Sequence, residues 1–251
     1  MIINTGFYFG ENMVKYKHFE SINSTSTYLK DNYHTLDNMF FVSSSFQSAG
    51  HGRKGRKWLS KSGEDLLFSV LIKDKEIIED YAYISLFSAL EIVRHLKELN
   101  IKNVSIKWPN DVFVNDNKIC GILLESVSSF SSIEALVLGI GLNVNSSNFP
   151  NDLIHNPTSI FLETNQKQDI EKIKQLVFEK IEKMLFKFKG EKEKYLEEIK
   201  NNNYLKNKEV YALINNEKVL VKVLDINDDC SLKILYDKQI ININSGEISF
   251  H

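Results

Sequence analysis

The sequence has few of the residues that build disulfide scaffolds or metal centres. Its two cysteines, Cys120 and Cys230, lie far apart and form no metal-spaced pair, so a disulfide framework is not expected. The six histidines are scattered and show no H-x-x-x-H pattern, which gives a zinc site little support. We therefore expect neither the fold nor the chemistry to depend on thiols or on a histidine-bound metal.

The chain also lacks long apolar runs and a large excess of one charge. No stretch approaches the roughly 18 apolar residues of a membrane span, and the N-terminal segment has no basic region followed by a long apolar one. Lys and Arg total 31 against 33 Asp and Glu, a formal net charge of -2, so no global positive charge draws the protein to nucleic acid or anionic lipid. These absences predict a soluble cytoplasmic protein that binds neither DNA nor membranes.

What is present is an ordinary globular composition with a change in pattern near Tyr204. The 251 residues are 43% hydrophobic and 25% charged, which is enough for one large domain or for a large and a small one. Up to about residue 203 the predicted strands and helices are mixed, and after it short strands alternate with polar turns. We predict an α+β domain in residues 1–203 and a small SH3-like or OB-like β-barrel in residues 204–251.

Hydrophobic periodicity places the main elements. A short helix capped by hydroxyl residues follows Ser24, and further helices are predicted at 80–99, at 158–162 and, as one long helix, at 168–200. Strands are predicted at 16–19, 38–46, 66–72, 104–114 (two strands joined by a proline-containing turn), 118–126, 133–145, 210–213, 219–224, 232–236 and 239–244.

The most distinctive segment is the loop from Gln47 to Trp58. Between them the chain reads Ser-Ala-Gly-His-Gly-Arg-Lys-Gly-Arg-Lys, with three glycines within six residues and four cationic side chains. Glycine lets a backbone approach a ligand closely, and Arg and Lys donate to phosphate or carboxylate oxygens. A solvated basic turn on the surface has the same composition. The loop alone therefore leaves an anion-binding site and a surface turn equally open.

Three further segments carry chemistry at predicted strand ends or turns. Ser24 and Thr25 either cap their helix or face a ligand. The run from Lys107 to Asp111 reads Lys-Trp-Pro-Asn-Asp, and the glycines of the Gly139–Asn143 segment indicate close approach of a backbone or ligand. With the loop, these segments supply hydroxyls, cations and a carboxylate, a set that suits a nucleotide plus an acid.

With these blocks in order, the sequence resembles the biotin protein ligases (biotin–[acetyl-CoA-carboxylase] ligases). The resemblance extends from about Tyr16 to the C-terminus. It implies an α+β catalytic domain in residues 1–203, with a mixed β-sheet and flanking helices of the class II aminoacyl-tRNA synthetase-like, or biotin–lipoate ligase, type, and an SH3-like barrel in residues 204–251. The matching segments are Gly50–Trp58, Lys107–Asp111, Lys118–Glu125, Gly139–Asn143 and Gly246–Ser249.

The resemblance implies a reaction in two steps. The carboxylate of biotin attacks the α-phosphate of ATP, with Mg²⁺, to give biotinyl-5′-AMP and pyrophosphate, and a lysine of a biotin carboxyl carrier domain then attacks the mixed anhydride. Such an enzyme must screen two anions as they meet and keep water from an activated acyl group. A glycine-rich loop that orders over the adenylate would exclude that water.

Two other functions are weighed against this one. A lipoate–protein ligase, or a lipoyl/octanoyl transferase, shares the core fold, but the Lys107–Asp111 run and the basic glycine loop favour biotin. A nucleic-acid-binding module that uses the cations between Arg53 and Lys57 with Trp58 is more remote, because the net charge is against it. The protein is expected to be a monomer or a homodimer.

Site roles follow from the resemblance, position by position. Lys118 and Arg53 are expected to be catalytic, and Asp111 is the candidate Mg²⁺ ligand. ATP contacts are expected from Arg53, Arg56, Trp58, Asn110, Lys118 and Asn143. Biotin contacts are expected from Ser24, Thr25, Ser26, Gln47, Gly50, His51, Gly52, Arg53, Trp58, Lys118 and Gly121.

The sequence departs from the family pattern in three places. His51 stands where the family usually has arginine, so a permanent charge is replaced by a side chain of the kind that titrates near neutrality, and we expect retention of the adenylate to be altered but not abolished. Ser26 ends a Ser-Thr-Ser triplet where Ser-Thr-Asn is usual. Only 15 residues precede Tyr16, too few for a DNA-binding helix-turn-helix, so we expect the monofunctional type without a repressor role.

Overall fold

An eight-stranded mixed β-sheet organises the fold. The computed structural model describes residues 2–4, 7–9, 12–129, 132–150, 156–214, 217–244 and 248–249. The first ten strands are β1 (Ile2–Asn4), β2 (Phe7–Phe9), β3 (Asn12–Val14), β4 (Tyr16–Phe19), β5 (Phe40–Ser44), β6 (Leu66–Ile72), β7 (Val104–Lys107), β8 (Asp111–Val114), β9 (Asn117–Ser129) and β10 (Ser132–Leu142). The sheet order is β1-β4-β5-β6-β10-β9-β8-β7, and β2 pairs with β3 separately. Within the large sheet β4 and β5 are parallel and the other pairs antiparallel, which confirms the predicted mixed sheet.

In the part of the chain that the structure describes, six helices flank this sheet. They are α1 (Thr25–Asn32), α2 (Lys75–Glu79), α3 (Tyr81–Glu98), α4 (Ile160–Thr164), α5 (Ile170–Lys187) and α6 (Lys192–Asn201). Hydroxyl capping is as predicted, since the Ser24 side chain accepts a hydrogen bond from the Thr27 amide. Within the described ranges, no helix is long and apolar enough to cross a membrane.

The prediction of one continuous helix over residues 168–200 is wrong at its centre. A 3-10 turn at Phe188–Gly190 separates α5 from α6, and glycine is among the weakest helix formers. Phe188 of the turn and Tyr195 of α6 both contact the Phe87 ring of α3, with centroids 5.8 and 4.6 Å apart, so the break lets the turn and α6 pack against α3. Burial of these aromatic side chains explains why the chain bends although the apolar stripe of α5 continues beyond the turn.

The two faces of the large sheet are covered differently. On one face Phe41 and Phe68 pack against Phe178 of α5, with ring centroids 4.6 and 4.7 Å apart. On the other face α1 places Leu29 in a small cluster that includes Val137 of β10. Successive side chains alternate between faces, so the residues of β6, β9 and β10 beyond α1 on this second face line an open cleft.

The predicted C-terminal β unit is a five-stranded antiparallel sheet. Its strands are β11 (Glu209–Ile214), β12 (Glu217–Ile226), β13 (Leu232–Tyr236), β14 (Gln239–Ile243) and β15 (Ile248–Ser249), in the order β14-β13-β12-β11-β15. Its inner face, with Val210, Val221 and Ile234, belongs to the same hydrophobic core as the large sheet. Residues 215–216, between the predicted strands 210–213 and 219–224, and Gly246 and Glu247 of the matching segment Gly246–Ser249, lie outside the described residues.

Candidate active site

A cleft of about 720 Å³ lies beside the N-terminus of α1. Its size is within the range of roughly 300–1,000 Å³ that is usual for small-molecule sites. The start of α1, the loop from Gln47 to Trp58, the β7–β8 turn and strands β6, β9 and β10 all contribute to its wall. Every site residue predicted from the sequence except Gly50 lines it, so the structure brings the predicted set together.

One end of the cleft is polar and buried. The Gln47 Oε1 accepts hydrogen bonds from the Thr25 amide at 2.7 Å and from the Thr25 hydroxyl at 3.1 Å. The Ser69 hydroxyl lies 2.8 Å from the Thr25 hydroxyl and 2.9 Å from that of Ser26. A Cβ on Gly139 would come within 2.7 Å of the Ser26 Oγ, so only glycine there leaves room for it. Ser69 was missed from the sequence because it lies inside an otherwise apolar strand.

The floor of the cleft is formed by two facing glycines. Gly121 of β9 and Gly141 of β10 are register partners, and the indole of Trp58 lies on both. A Cβ would approach the ring to 2.7 Å at Gly121 and to 2.4 Å at Gly141. The Trp58 Nε1 is buried and has no hydrogen-bond partner among the described residues. In this structure the group that lies closest to Gly121 is an indole, and the biotin contact expected there stays a prediction.

The basic loop is a small hairpin folded across the cleft. His51 and Lys57 form an isolated antiparallel β-bridge. On either side of it, the Gly52 amide donates to the Arg56 carbonyl at 2.7 Å, and the Trp58 amide donates to the Gly50 carbonyl at 2.9 Å. At the tip, Gly55 has a φ of +71°, a conformation that favours glycine.

The tip of this hairpin reaches the β7–β8 turn. The Arg53 Nη1 donates to the Asn110 Oδ1 at 3.3 Å, and the Asn110 Nδ2 donates to the Ile122 carbonyl at 2.6 Å. Asn110 therefore ties the loop to β9. These contacts favour a wall of the cleft over a solvated surface turn.

The other end of the cleft carries a cluster of charges. The Lys118 Nζ lies 2.8 Å from the Asp111 Oδ1 and 5.5 Å from the Trp58 ring centroid. Lys107, the β7 partner of Asp111, is 3% exposed, and this burial lowers the pKa of Lys107 to about 8, although the Asp111 carboxylate opposes the shift. Two lysines against one carboxylate make this end suited to anions. The sequence placed Lys107 in a motif but gave it no role, because its burial depends on contacts distant in the chain.

Asn143 and Trp108 hold the walls of the cleft in place. The Asn143 Nδ2 donates to the Thr158 carbonyl at 2.8 Å, so its amide ties β10 to the segment before α4. The expected contact of Asn143 with ATP stays a prediction. The Trp108 Nε1 donates to the Cys230 carbonyl at 2.9 Å, and the indole is buried. Trp108 therefore anchors the β7–β8 turn to the C-terminal sheet.

Asp111 is the carboxylate among the described residues that line the cleft. Over the part of the chain that the structure describes, no group of three or more His, Cys, Asp or Glu side chains could hold a metal ion. Mg²⁺ commonly keeps several waters and binds through one or two carboxylates plus substrate phosphates. Asp111 therefore fits an ion that arrives with a nucleotide.

Comparison with known sequences identifies two matching family models. Residues 18–144 match the Biotin/lipoate A/B protein ligase family, and residues 207–251 match the Biotin protein ligase C terminal domain. The bifunctional ligase/repressor BirA of Bacillus subtilis is 31% identical over 125 residues, 49% of this chain and 38% of that protein. The biotin–[acetyl-CoA-carboxylase] ligase of Paracoccus denitrificans is 35% identical over 100 residues, 39% of this chain and 41% of that protein. The matched part thus spans about two fifths of these curated relatives.

A solved structure matches nearly the whole chain. The biotin protein ligase from Aquifex aeolicus in complex with biotin and ATP superposes with a TM-score of 0.82 and 30% sequence identity, covering 93% of this chain and 97% of that one. Both family models and this match point to the same family. The chain belongs to the biotin protein ligases, within the Biotin/lipoate A/B protein ligase family.

Proposed function

We propose that the protein activates biotin with ATP as biotinyl-5′-AMP and then transfers biotin to a lysine of a biotin carboxyl carrier domain. The observation that carries this proposal is the single cleft with a buried polar end and a cationic end, joined over a glycine floor. Such a cleft suits an acid with a polar head and a carboxylate tail that meets a nucleotide phosphate. The Aquifex aeolicus relative, solved with biotin and ATP, supports the same substrates.

The polar end favours biotin over lipoate. The ureido ring of biotin offers two N–H donors and one carbonyl acceptor, whereas the dithiolane ring of lipoate offers neither. Thr25 and Ser69 are buried here, and their hydroxyls meet the Gln47 amide group in one network. Covering such groups with a ring that cannot hydrogen-bond costs about 1–3 kcal/mol for each group left without a partner. Ser24 and Ser26 complete this end in the proposal.

The cationic end would bring two anions together. Arg53 offers a planar guanidinium that can bind two oxygens at once, and Lys118 would turn from Asp111 to the acyl phosphate oxygens as these form. Fixed cations aimed at developing charge are usually the largest single contribution to catalysis. We assign Arg56, Asn110 and Asn143 to the ATP side, with Mg²⁺ arriving on ATP and Asp111 as its carboxylate. Lys107 adds positive charge from beneath.

The loop would act as a lid over the acyl-adenylate. An acyl-adenylate is lost if water reaches it, so closure protects the intermediate until the carrier lysine arrives. In the proposal the loop backbone at Gly50, His51 and Gly52 lies against biotin, and the Trp58 indole walls the adenylate. Residues 1–203 form the catalytic domain, and residues 204–251 buttress it through the contact of Trp108 with Cys230.

The proposal is tested by the mass of an acceptor. The purified protein is incubated with ATP, Mg²⁺, biotin and a carrier domain, and the carrier is weighed by mass spectrometry. We expect one biotinyl group on the carrier and none on a control carrier whose acceptor lysine is replaced by arginine. Modification with lipoate but not with biotin would assign the chain to the lipoate ligases. Salt-dependent binding of nucleic acid without any modification would favour the nucleic-acid module.

A further inference from the structure

A carboxylate outside the predicted site, Glu125 of β9, joins the loop to α1. Its Oε1 accepts a hydrogen bond from the Lys30 Nζ of α1 at 2.8 Å. Its Oε2 lies 3.4 Å from the His51 Nε2 of the loop. This Oε2 is buried and has no hydrogen-bond partner among the residues that the structure describes. A buried carboxylate oxygen without a donor is costly, so a donor from His51 would stabilise it.

The His51 ring lies between two groups that can only accept hydrogen bonds. Its Nδ1 is 3.4 Å from the Ala49 carbonyl oxygen, and its Nε2 faces the Glu125 carboxylate at the same distance, 3.4 Å. The ring therefore reaches from the backbone of the loop to the Glu125 carboxylate. An N–H on Nε2 would donate to the Glu125 Oε2, which otherwise lacks a donor among the described residues.

The contact between His51 and Glu125 connects the whole loop to β9 and α1. Through the described contacts, Glu125 reaches the ring from β9, and Lys30 from α1 holds the far oxygen of that carboxylate. Lys57 is the bridge partner of His51 at the base of the hairpin, with an exposed side chain. Trp58 follows directly. Holding His51 therefore holds the base of the hairpin and the indole beside it.

We propose that Glu125 is a positioning residue, which latches the loop over the cleft through its contact with His51. Removing the carboxylate or the imidazole then weakens closure of the loop. An arginine at position 51 would donate to the same carboxylate and hold the loop closed. The consequence for the adenylate rests on the function proposed above, but the latch itself does not.

Acrylamide quenching of tryptophan fluorescence tests the latch without any ligand. The chain has two tryptophans, and Trp108 is 2% exposed, so changes in quenching report Trp58. We expect the open-to-closed ratio of the loop to be about fivefold higher in His51→Gln and in Glu125→Gln than in the unmodified protein, the effect of losing one charged hydrogen bond. His51→Arg is the matched control and should stay closed. Quenching in His51→Gln and Glu125→Gln equal to that of the unmodified protein would overturn the latch.

Dissociation of preformed biotinyl-adenylate gives the functional readout. It should be about fivefold faster from His51→Gln and Glu125→Gln than from the unmodified protein and stay slow in His51→Arg. If no adenylate forms with biotin in any variant, the proposed function fails, and the quenching measurements still decide on the latch. If adenylate forms and leaves at the same rate in all variants, the latch fails while the proposed function stands.

Discussion

Replacing Gly141 with alanine should separate closure of the loop from stability of the fold. The added Cβ would lie 2.4 Å from the Trp58 Cε2, whereas ordinary contact begins at 3.4 Å. The indole must therefore move by about 1 Å, the difference between these two distances. The backbone of Gly141 is not in the left-handed region, so alanine adds no strain of its own.

The size of the effect depends on which group can move. Overpacking costs about 1–3 kcal/mol, and here it falls on Trp58, which belongs to a loop and not to the core. The closed form should lose this amount, a change of about 5- to 150-fold in the closed-to-open ratio. The unfolding free energy should be unchanged or rise by up to about 1 kcal/mol, because alanine restricts the unfolded chain more than glycine does.

Three measurements on Gly141→Ala check this separation. Urea unfolding should show no loss of stability, acrylamide should quench Trp58 more strongly, and biotin-dependent pyrophosphate exchange should fall at least fivefold. Gly139→Ala is the contrast on the same strand, because its Cβ would meet the Ser26 Oγ at 2.7 Å. Ser26 lies on a packed helix, so this variant should lose stability. If Gly141→Ala lost more than about 1 kcal/mol of unfolding free energy with Trp58 quenching unchanged, the indole would be core and not lid.

Three further predictions follow from single contacts. Lys118→Ala should lower the rate of adenylate formation by at least tenfold, because it removes the cation that we propose meets the acyl phosphate oxygens, and near-normal single-turnover rates would remove that role. Trp108→Phe, which loses the donor to the Cys230 carbonyl, should lower kcat for exchange more than it changes KM for biotin, and equal changes would argue against a positioning role. Burial lowers the pKa of His95 to about 4 in the folded protein. As the pH falls, His95 therefore binds a proton in the unfolded chain before it does so in the folded protein. The free energy of unfolding should drop by about 2 kcal/mol between pH 7 and pH 5. His95→Leu should lack that loss in urea titrations, and a parallel pH dependence in both proteins would refute it.

Much of the cleft could be predicted because its residues come in short blocks with local meaning. The Gln47–Trp58 loop and the Lys107–Asp111 turn each combine glycine or proline with charged side chains. Such a combination indicates a polar loop or turn wherever the fold places it. The strand containing Gly139 and Gly141 was predicted for the same reason, since glycines in an apolar strand indicate close approach.

The remainder depends on contacts between distant residues. Ser69 lies in an apolar strand, and only pairing with Gly139 brings it to the polar end of the cleft. The Trp58 indole can lie against the sheet only because Gly121 and Gly141 are register partners. A local sequence pattern does not show which residues of two strands are paired. The break at Gly190 was missed because apolar spacing continues on both sides of it. The three-residue strands β1 to β3 are too short to show a period.

The measurement that tests the central claim most directly is exchange of labelled pyrophosphate into ATP by the purified protein, with biotin or lipoate as the acid. Exchange requires only formation and reversal of the acyl-adenylate, so it needs no acceptor. We predict exchange that depends on biotin and Mg²⁺, is absent with lipoate and falls sharply in Lys118→Ala. Exchange with lipoate alone, or none with either acid, would contradict the assignment of this cleft to biotin activation.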